Sequence, residues 1–239
     1  MKRFVTSIAA VLCTLSLWAQ SDWQQAEDLY RQGKFSAALG AYETVLKNYP
    51  NDPFVYYNIG NCYFKIGSRG LAVANYYRAF RLLPRDKDIR HNLALTLEES
   101  GEKLVPTGVP TVLHEAFFYL SYAQLKGLTY GLFWLACACV VISLLRRKNS
   151  RWTFIACALC VVCAGWWYAR SRLERENLAV IAAPVAEIRS GPGTNFPASA
   201  NVAQGHLITI TDAKDAWYEG VVSSQGLKGW IEKDAVEKI

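Results

Sequence analysis

Two stretches of the chain, Leu128–Leu145 and Trp152–Ala169, run without a charged residue, and Arg146-Arg147-Lys148-Asn149-Ser150-Arg151 joins them. At a helical rise of 1.5 Å per residue each stretch reaches about 27 Å, enough to cross the hydrocarbon core of a bilayer. The joining segment is too short to fold and too charged for lipid. The pattern predicts a transmembrane α-hairpin, with helices at 128–145 and 152–169 around a turn at 146–151, that returns the chain to the side it left. Small residues fall at spacing four on both helices (Ala156, Cys160 and Ala164; Gly127 and Gly131), which predicts close helix packing. Transporters and proton pumps carry ionisable groups at membrane depth; the charge-free spans argue against both.

Ahead of the hairpin the apolar positions follow a helical period and repeat every 34 residues. Gly33, Gly67 and Gly101 are one period apart, as are Ala26, Gly60 and Ala94; Tyr42 pairs with Tyr76, Pro50 with Pro84 and Asn58 with Asn92. This is the tetratricopeptide pattern. Small residues sit where paired helices cross, tyrosines fill the space between repeats, and prolines end the second helix of each unit. Residues 21–101 are expected to form helices at 22–32, 35–48, 53–66, 69–82 and 86–100, two repeats and a capping helix. That is near the lower limit for a free-standing solenoid, so the array is expected to lean on the membrane or a partner.

Residues 102–127 form a linker that changes character midway. Pro106, Gly108 and Pro110 break structure, and Val112–Leu125 then turns aromatic and apolar. It reads as an interfacial helix or as a continuation of the first span. Past residue 178 the signals become those of strands. Val180–Ala183, Val185–Ile188, His206–Thr211, Trp217–Val222 and Lys228–Ile231 are short β-branched or aromatic runs with Gly and Pro between them, which predicts a small closed barrel over 178–239.

Residues 1–20 open with Lys2-Arg3, continue through apolar Phe4–Trp18 and end at Ala19-Gln20, the form of a signal peptide, cleaved or retained. Both flanking modules are then exported. The turn at 146–151 is cytoplasmic by the positive-inside rule, with Arg170, Arg172 and Arg175 opposing it from the far side. The net charge of +6 gathers beside the spans, whereas residues 21–100 carry ten Lys/Arg against nine Asp/Glu and residues 176–239 five against eight. Such a balance argues against nucleic acid as a partner. Among the cysteines only Cys62 lies in a soluble segment, so no disulfide is expected to staple either module. Cys157, Cys160 and Cys163 have dithiol spacing but no water or basic neighbour, and read as packing residues.

The concave face of the array belongs to the first helix of each repeat. By register it should present Trp23, Glu27, Tyr30, Phe54, Tyr57, Asn61, Phe64 and His91. These aromatics suit an apolar peptide or helix of a protein partner, or else pack the array itself. Trp217 and Trp230 are candidate contacts in the β module, although a barrel this small needs at least one as core. His91, His114 and His206 fall in three separate segments. None sits in a metal or nucleophile motif, and a phosphate-binding glycine loop is also missing. No catalysis, metal or cofactor is expected.

Ala186-Glu187-Ile188-Arg189-Ser190-Gly191-Pro192-Gly193-Thr194, with Trp217 and Gly229-Trp230-Ile231, resembles a bacterial SH3-like domain. Tyr57-Asn58-Ile59-Gly60-Asn61-Cys62-Tyr63-Phe64, followed by Pro84-x-Asp86 and His91-Asn92-Leu93, resembles the repeats of the BatE members of the Bacteroides aerotolerance family. The order of signal, repeats, hairpin and SH3-like domain is similar to that family as well. The resemblance implies a multidomain architecture: an all-α tetratricopeptide solenoid, a transmembrane α-hairpin and an all-β SH3-like barrel. It also implies an adaptor on the periplasmic face of a bacterial inner membrane, working in an aerotolerance or stress-related complex. The partners implied are von Willebrand factor A domain proteins and a MoxR-type ATPase. Because SH3-like domains of envelope proteins often bind peptidoglycan, attachment to or sensing of the cell wall is the alternative.

Overall fold

The structure, a computed structural model, describes residues 22–147 and 151–239. The signal segment 1–20 and residues 148–150 of the turn lie outside the described residues. Five helices build the repeats: α1 (22–31), α2 (Phe35–Asn48), α3 (Pro53–Ile66), α4 (Arg69–Leu82) and α5 (Lys87–Glu99). The 34-residue period is written into the backbone. Gly33, Gly67 and Gly101 follow α1, α3 and α5 at φ of +75°, +93° and +74°, left-handed positions that glycine takes without a Cβ clash. Asp52 accepts from the Phe54 N–H at 2.8 Å to cap α3, and Asp86 accepts from the Asp88 and Ile89 N–H groups at 3.0 Å to cap α5. At Gly60 an added Cβ would lie 2.6 Å from the Tyr76 ring, so the small position expected at the helix crossing is one that the aromatic position of the repeat fills.

Seven antiparallel strands follow the hairpin: β1 (Leu178–Ile181), β2 (Val185–Arg189), β3 (Ala198–Ala203), β4 (Leu207–Lys214), β5 (Trp217–Val222), β6 (Leu227–Glu232) and β7 (Val236–Lys238). Their order is β3-β2-β6-β5-β4-β1-β7. Alternate residues, among them Ala179, Ile181, Ala186, Ile188, Ile208, Ile210 and Ile231, share one core. Five of these strands match sequence expectations. β3 (Ala-Ser-Ala-Asn-Val-Ala) carries little strand propensity and is held by its pairing with β2; β7 is too short to show a pattern.

The two soluble modules share a core instead of hanging on a tether. Val180 of β1 is fully buried among Ala72, Val73, Tyr76 and Phe80 of α4 and Leu93 and Leu97 of α5. A Cβ on Gly70 would fall on the Ile181 carbonyl oxygen and lie 2.9 Å from Ala182 Cα. Around this contact Gln204 donates to the Gly67 carbonyl at 3.2 Å, Arg78 donates to Glu237 at 2.5 Å, and Arg81 donates to the Ile239 carbonyl at 3.0 Å. The short array does lean on something: its own β module.

The hairpin helices are α7 (Tyr122–Leu145) and α8 (Arg151–Glu174), both long and apolar enough to cross a membrane. Each is longer than the charge-free stretch that announced it. The 112–125 stretch is divided between two helices. A separate short helix, α6 (Thr111–Phe117), precedes the spans, and residues from Tyr122 onward join α7 behind a Ser121/Gln124 capping box. Gly127 and Gly131 face open space, with nothing within 4 Å of an added Cβ. The helices bury Thr129 and Ala136 of α7 and Ala156 of α8, the last from the predicted small-residue face, and Thr129 donates across to the Cys163 carbonyl at 3.4 Å.

Arg170 departs most from its sequence reading as a charge set at the membrane surface. It is only 1% exposed. Its guanidinium donates to the carbonyls of Phe117 and Leu120, both at 3.3 Å, and stacks 4.3 Å over the Phe118 ring. Glu174, 3.6 Å away, also accepts from Arg81 of α4. This knot ties α8, the segment after α6 and the second repeat together. Arg172 and Arg175 remain at the surface.

Candidate protein-binding site

With β1 and β7 packed on α4, the opposite face of the array, made by α1, α3 and α5, stays open. A cleft of about 280 Å³ lies there, lined by Tyr30, Tyr57, Asn61, Phe64, Lys65, Tyr76, Asn92, Leu95 and Thr96. Four of the eight residues assigned from register therefore come together: Tyr30, Tyr57, Asn61 and Phe64. The other four do not line it. Trp23 packs edge-on against Tyr42 with ring centroids 5.8 Å apart, in the core of the first repeat. Glu27 pairs with Arg31 one turn away at 2.7 Å. Phe54 is 47% exposed at the start of α3, beyond the cleft. His91 lies on another side of α5, where it lines a separate hollow against α6.

The floor of the cleft is a polar network. Asn61 Oδ1 accepts from Tyr76 Oη at 2.7 Å and from Asn92 Nδ2 at 3.1 Å, and Asn92 Nδ2 also donates to Tyr57 Oη at 2.9 Å. Both amide hydrogens of Asn92 are thereby engaged, which sets the orientation of its amide group. Burial pushes the phenols of Tyr30, Tyr57 and Tyr76 above their ordinary pKa, so all three stay neutral hydrogen-bonding groups. Tyr30, Phe64 and Leu95 form apolar walls, and Lys65 adds an exposed cation at the rim. A cleft of this size and lining can take one apolar side chain between its walls, above a polar floor. Sequence reasoning missed Lys65, Tyr76, Asn92, Leu95 and Thr96. Asn92 was within reach, since it repeats Asn58 one period later.

In the β module Trp217 and Trp230 separate. Trp217 is 8% exposed and borders a cleft of about 380 Å³ with Val185, Glu187, Arg189, Ile231, Glu232 and Asp234. Trp230 is half-buried and lies outside that lining. Between the walls β2 meets β6 at the single register Arg189↔Trp230, which leaves the cleft as a wedge between two strands. Arg189 is engaged with Glu187 and with the Thr194 and Phe196 carbonyls.

Where the modules meet, Glu102, His206 and Ser224 form a third constellation. Glu102 Oε1 lies 3.1 Å from His206 Nδ1, accepts from Leu207 N at 3.4 Å and accepts from Ser224 Oγ. Acid and serine thus crowd one ring nitrogen, and Gln225 sits 3.0 Å from the other. A proton relay to a serine nucleophile needs the acid and the serine on opposite nitrogens. As built, the trio joins the end of the repeats to the β module.

Comparison with known proteins follows the same division. Tetratricopeptide repeat protein 16 from Homo sapiens and from Macaca fascicularis are each 24% identical over 134 residues, 51% of this chain. The chain spans only 15% of their length. Two solved structures are similar at 17% identity and a TM-score of 0.34. The type III secretion translocator chaperone SycD of Yersinia enterocolitica covers 66% of this chain with 94% of its own, and yeast Tom70 covers 77% with 32% of its own. At the level of families, residues 26–67 match the TPR repeat and residues 182–238 match the bacterial SH3 domain.

Proposed function

We propose that the chain is a non-catalytic adaptor, anchored by α7 and α8 in a bacterial inner membrane with both soluble modules on the periplasmic face. There it holds segments of envelope proteins in the α1/α3/α5 cleft. One observation carries this reading: the face with the aromatic walls and amide floor is open, while the opposite face is closed by the β module. Anchoring is supported by the apolar surface of α7 and α8, which the described residues leave uncovered; Trp134, Leu144, Phe154 and Val161 are each at least two-thirds exposed. The orientation is supported by Arg170, whose burial removes one of three opposing cations from the surface beside the far ends of the spans. Partners with von Willebrand factor A domains, a MoxR-type ATPase and an aerotolerance or stress-related complex follow from the resemblance of the repeats to BatE.

A photo-crosslinking residue at Leu95, which is 42% exposed on the cleft wall, tests the assignment in cells. It should trap a von Willebrand factor A protein, and Leu95→Glu should remove the interaction without altering the helical content. Adducts to lipid alone, or partner capture undiminished by Leu95→Glu, would reject the groove. The wedge beside Trp217 favours a second reading, contact with peptidoglycan. Because Val180 belongs to the core of the repeats, the full chain is the proper reagent. Its failure to sediment with peptidoglycan would leave the β module as a structural buttress.

A further inference from the structure

A hollow of about 810 Å³ lies between α5, the 101–110 segment and α6. We propose that it seats the headgroup of an anionic phospholipid drawn from the bilayer that α7 and α8 cross; the proposal rests on the anchoring reading above. Charge comes first. Arg85, Lys87 and Lys103 line the hollow, are exposed, and pair with no carboxylate among the described residues. Of the carboxylates lining it, Glu115 is held by Arg90 at 2.8 Å and Glu102 is turned to His206 and Ser224. Among the described residues that line it, only Glu98 is left to oppose the three cations, so this lining carries a surplus of positive charge.

Position comes second. The Phe117 and Leu120 carbonyls, at the end of α6 and just past it, accept from Trp166 and Arg170 of α8. This fixes α6 at the level where the spans leave the apolar layer, alongside interfacial tryptophans. The same short segment exposes Val112 (75%), Leu113 (62%) and Tyr119 (57%). Val112 and Tyr119 also line the hollow. A cationic basin continuous with exposed apolar residues at the bilayer surface matches an amphiphile with an anionic head and acyl tails. An acidic peptide would use the cations and leave Val112 and Leu113 in water; a free phosphate would do the same.

The test uses the full chain reconstituted into vesicles of phosphatidylcholine alone, or of phosphatidylcholine with phosphatidylglycerol. The readouts are flotation and the lipid retained through detergent extraction, measured by native mass spectrometry. The wild type should float with both vesicles and retain phosphatidylglycerol in preference to phosphatidylcholine. Lys87→Glu/Lys103→Glu should float equally well but lose retention by about fivefold or more for each cation reversed at low salt. Equal retention of the two lipids, or phosphatidylglycerol retention unchanged in the variant, overturns the lipid site and leaves the anchor intact. Flotation with neither vesicle overturns the anchor, and the lipid site with it.

Discussion

Gly70 is where the union of the two soluble modules is most exposed to a single methyl group. The Gly70→Ala side chain would land on the Ile181 carbonyl oxygen, with Ala182 Cα at 2.9 Å and Ile181 C at 3.0 Å. All three obstacles are backbone, so no rotamer change relieves the clash. Overfilling a packed site costs about 1–3 kcal/mol. Forcing the surfaces apart also weakens the flanking bonds from Gln204 and Arg78, each worth about 1 kcal/mol or somewhat more. The alanine returns up to about 1 kcal/mol of helix propensity, so the net loss should be about 2–3 kcal/mol. Gly40 of α2 supplies the control. It is exposed and an added Cβ there meets nothing within 4 Å, so Gly40→Ala should stabilise by up to about 1 kcal/mol. Hydrogen exchange on the full chain reads both effects. In the wild type α4 and β1 amides should open together. In Gly70→Ala their opening should become easier by roughly thirtyfold to a hundredfold and decouple. If Gly70→Ala and Gly40→Ala exchange alike, the shared core is wrong.

Three further outcomes follow from buried groups. His114 is buried, stacks on Phe118 with ring centroids 4.6 Å apart, and finds no partner for Nδ1 among the described residues. Burial, assisted by Arg90 and Arg170 and opposed by Glu115, pushes its pKa below the ordinary imidazole value of 6.5. A lowered folded pKa means that the unfolded chain takes the proton first, so stability is complete above about pH 6.5 and declines as pH falls below it. The protection of α6 amides, taken relative to the intrinsic exchange rate at each pH, should therefore fall in mild acid, and His114→Phe should remove that dependence. Cys62 is buried and its thiol is pushed up to about 12 by desolvation; a maleimide should label it only as fast as α3 opens, and labelling at the rate of a free thiol would contradict its packing. Arg170→Met keeps the bulk but strips the donors from the Phe117 and Leu120 carbonyls. It should destabilise the junction by about 3 kcal/mol or more, seen as faster exchange in α6 with the α2 amides unchanged.

What the sequence revealed depended on whether the signal was periodic. The 34-residue spacing located α1 to α5 within a residue or two, because capping aspartates and left-handed glycines recur at fixed offsets and leave little freedom. The hairpin was legible for an equally general reason: a charge-free run of helix can only be core or membrane. Its ends were not, since Tyr122–Lys126 and Arg170–Glu174 are helical by continuation and by tertiary bonds, which composition does not encode. β3 was invisible because Ala-Ser-Ala-Asn-Val-Ala becomes a strand only beside β2. In the cleft, register alone assigned Trp23 and His91 to the concave face. The first turns inward because Tyr42 lies behind it, and the second lies on the side of α5 that faces α6. Asn61 was read as a contact, yet with two donors converging on its oxygen it is also structural, so Leu95 is the cleaner position to perturb.

The same bonds that escaped sequence reading decide how an adaptor of this design would work. Modules on free linkers must be ordered when a partner binds, and that ordering subtracts from affinity. Here Val180 sits in the core of the repeats, Arg78 and Arg81 grip β7 and the residue after it, and Glu174 joins Arg81 to Arg170 at the foot of the hairpin. Cleft, β module and spans are therefore mechanically continuous, with α4 as the common beam. With α7 and α8 in a membrane, as proposed, a partner segment seated between Tyr57 and Leu95 would meet a surface whose tilt to that membrane is already set. Orientation then becomes part of recognition: a segment leaving its own anchor at the wrong height or angle would have to strain the Gly70 contact or the Arg170 knot to reach the site.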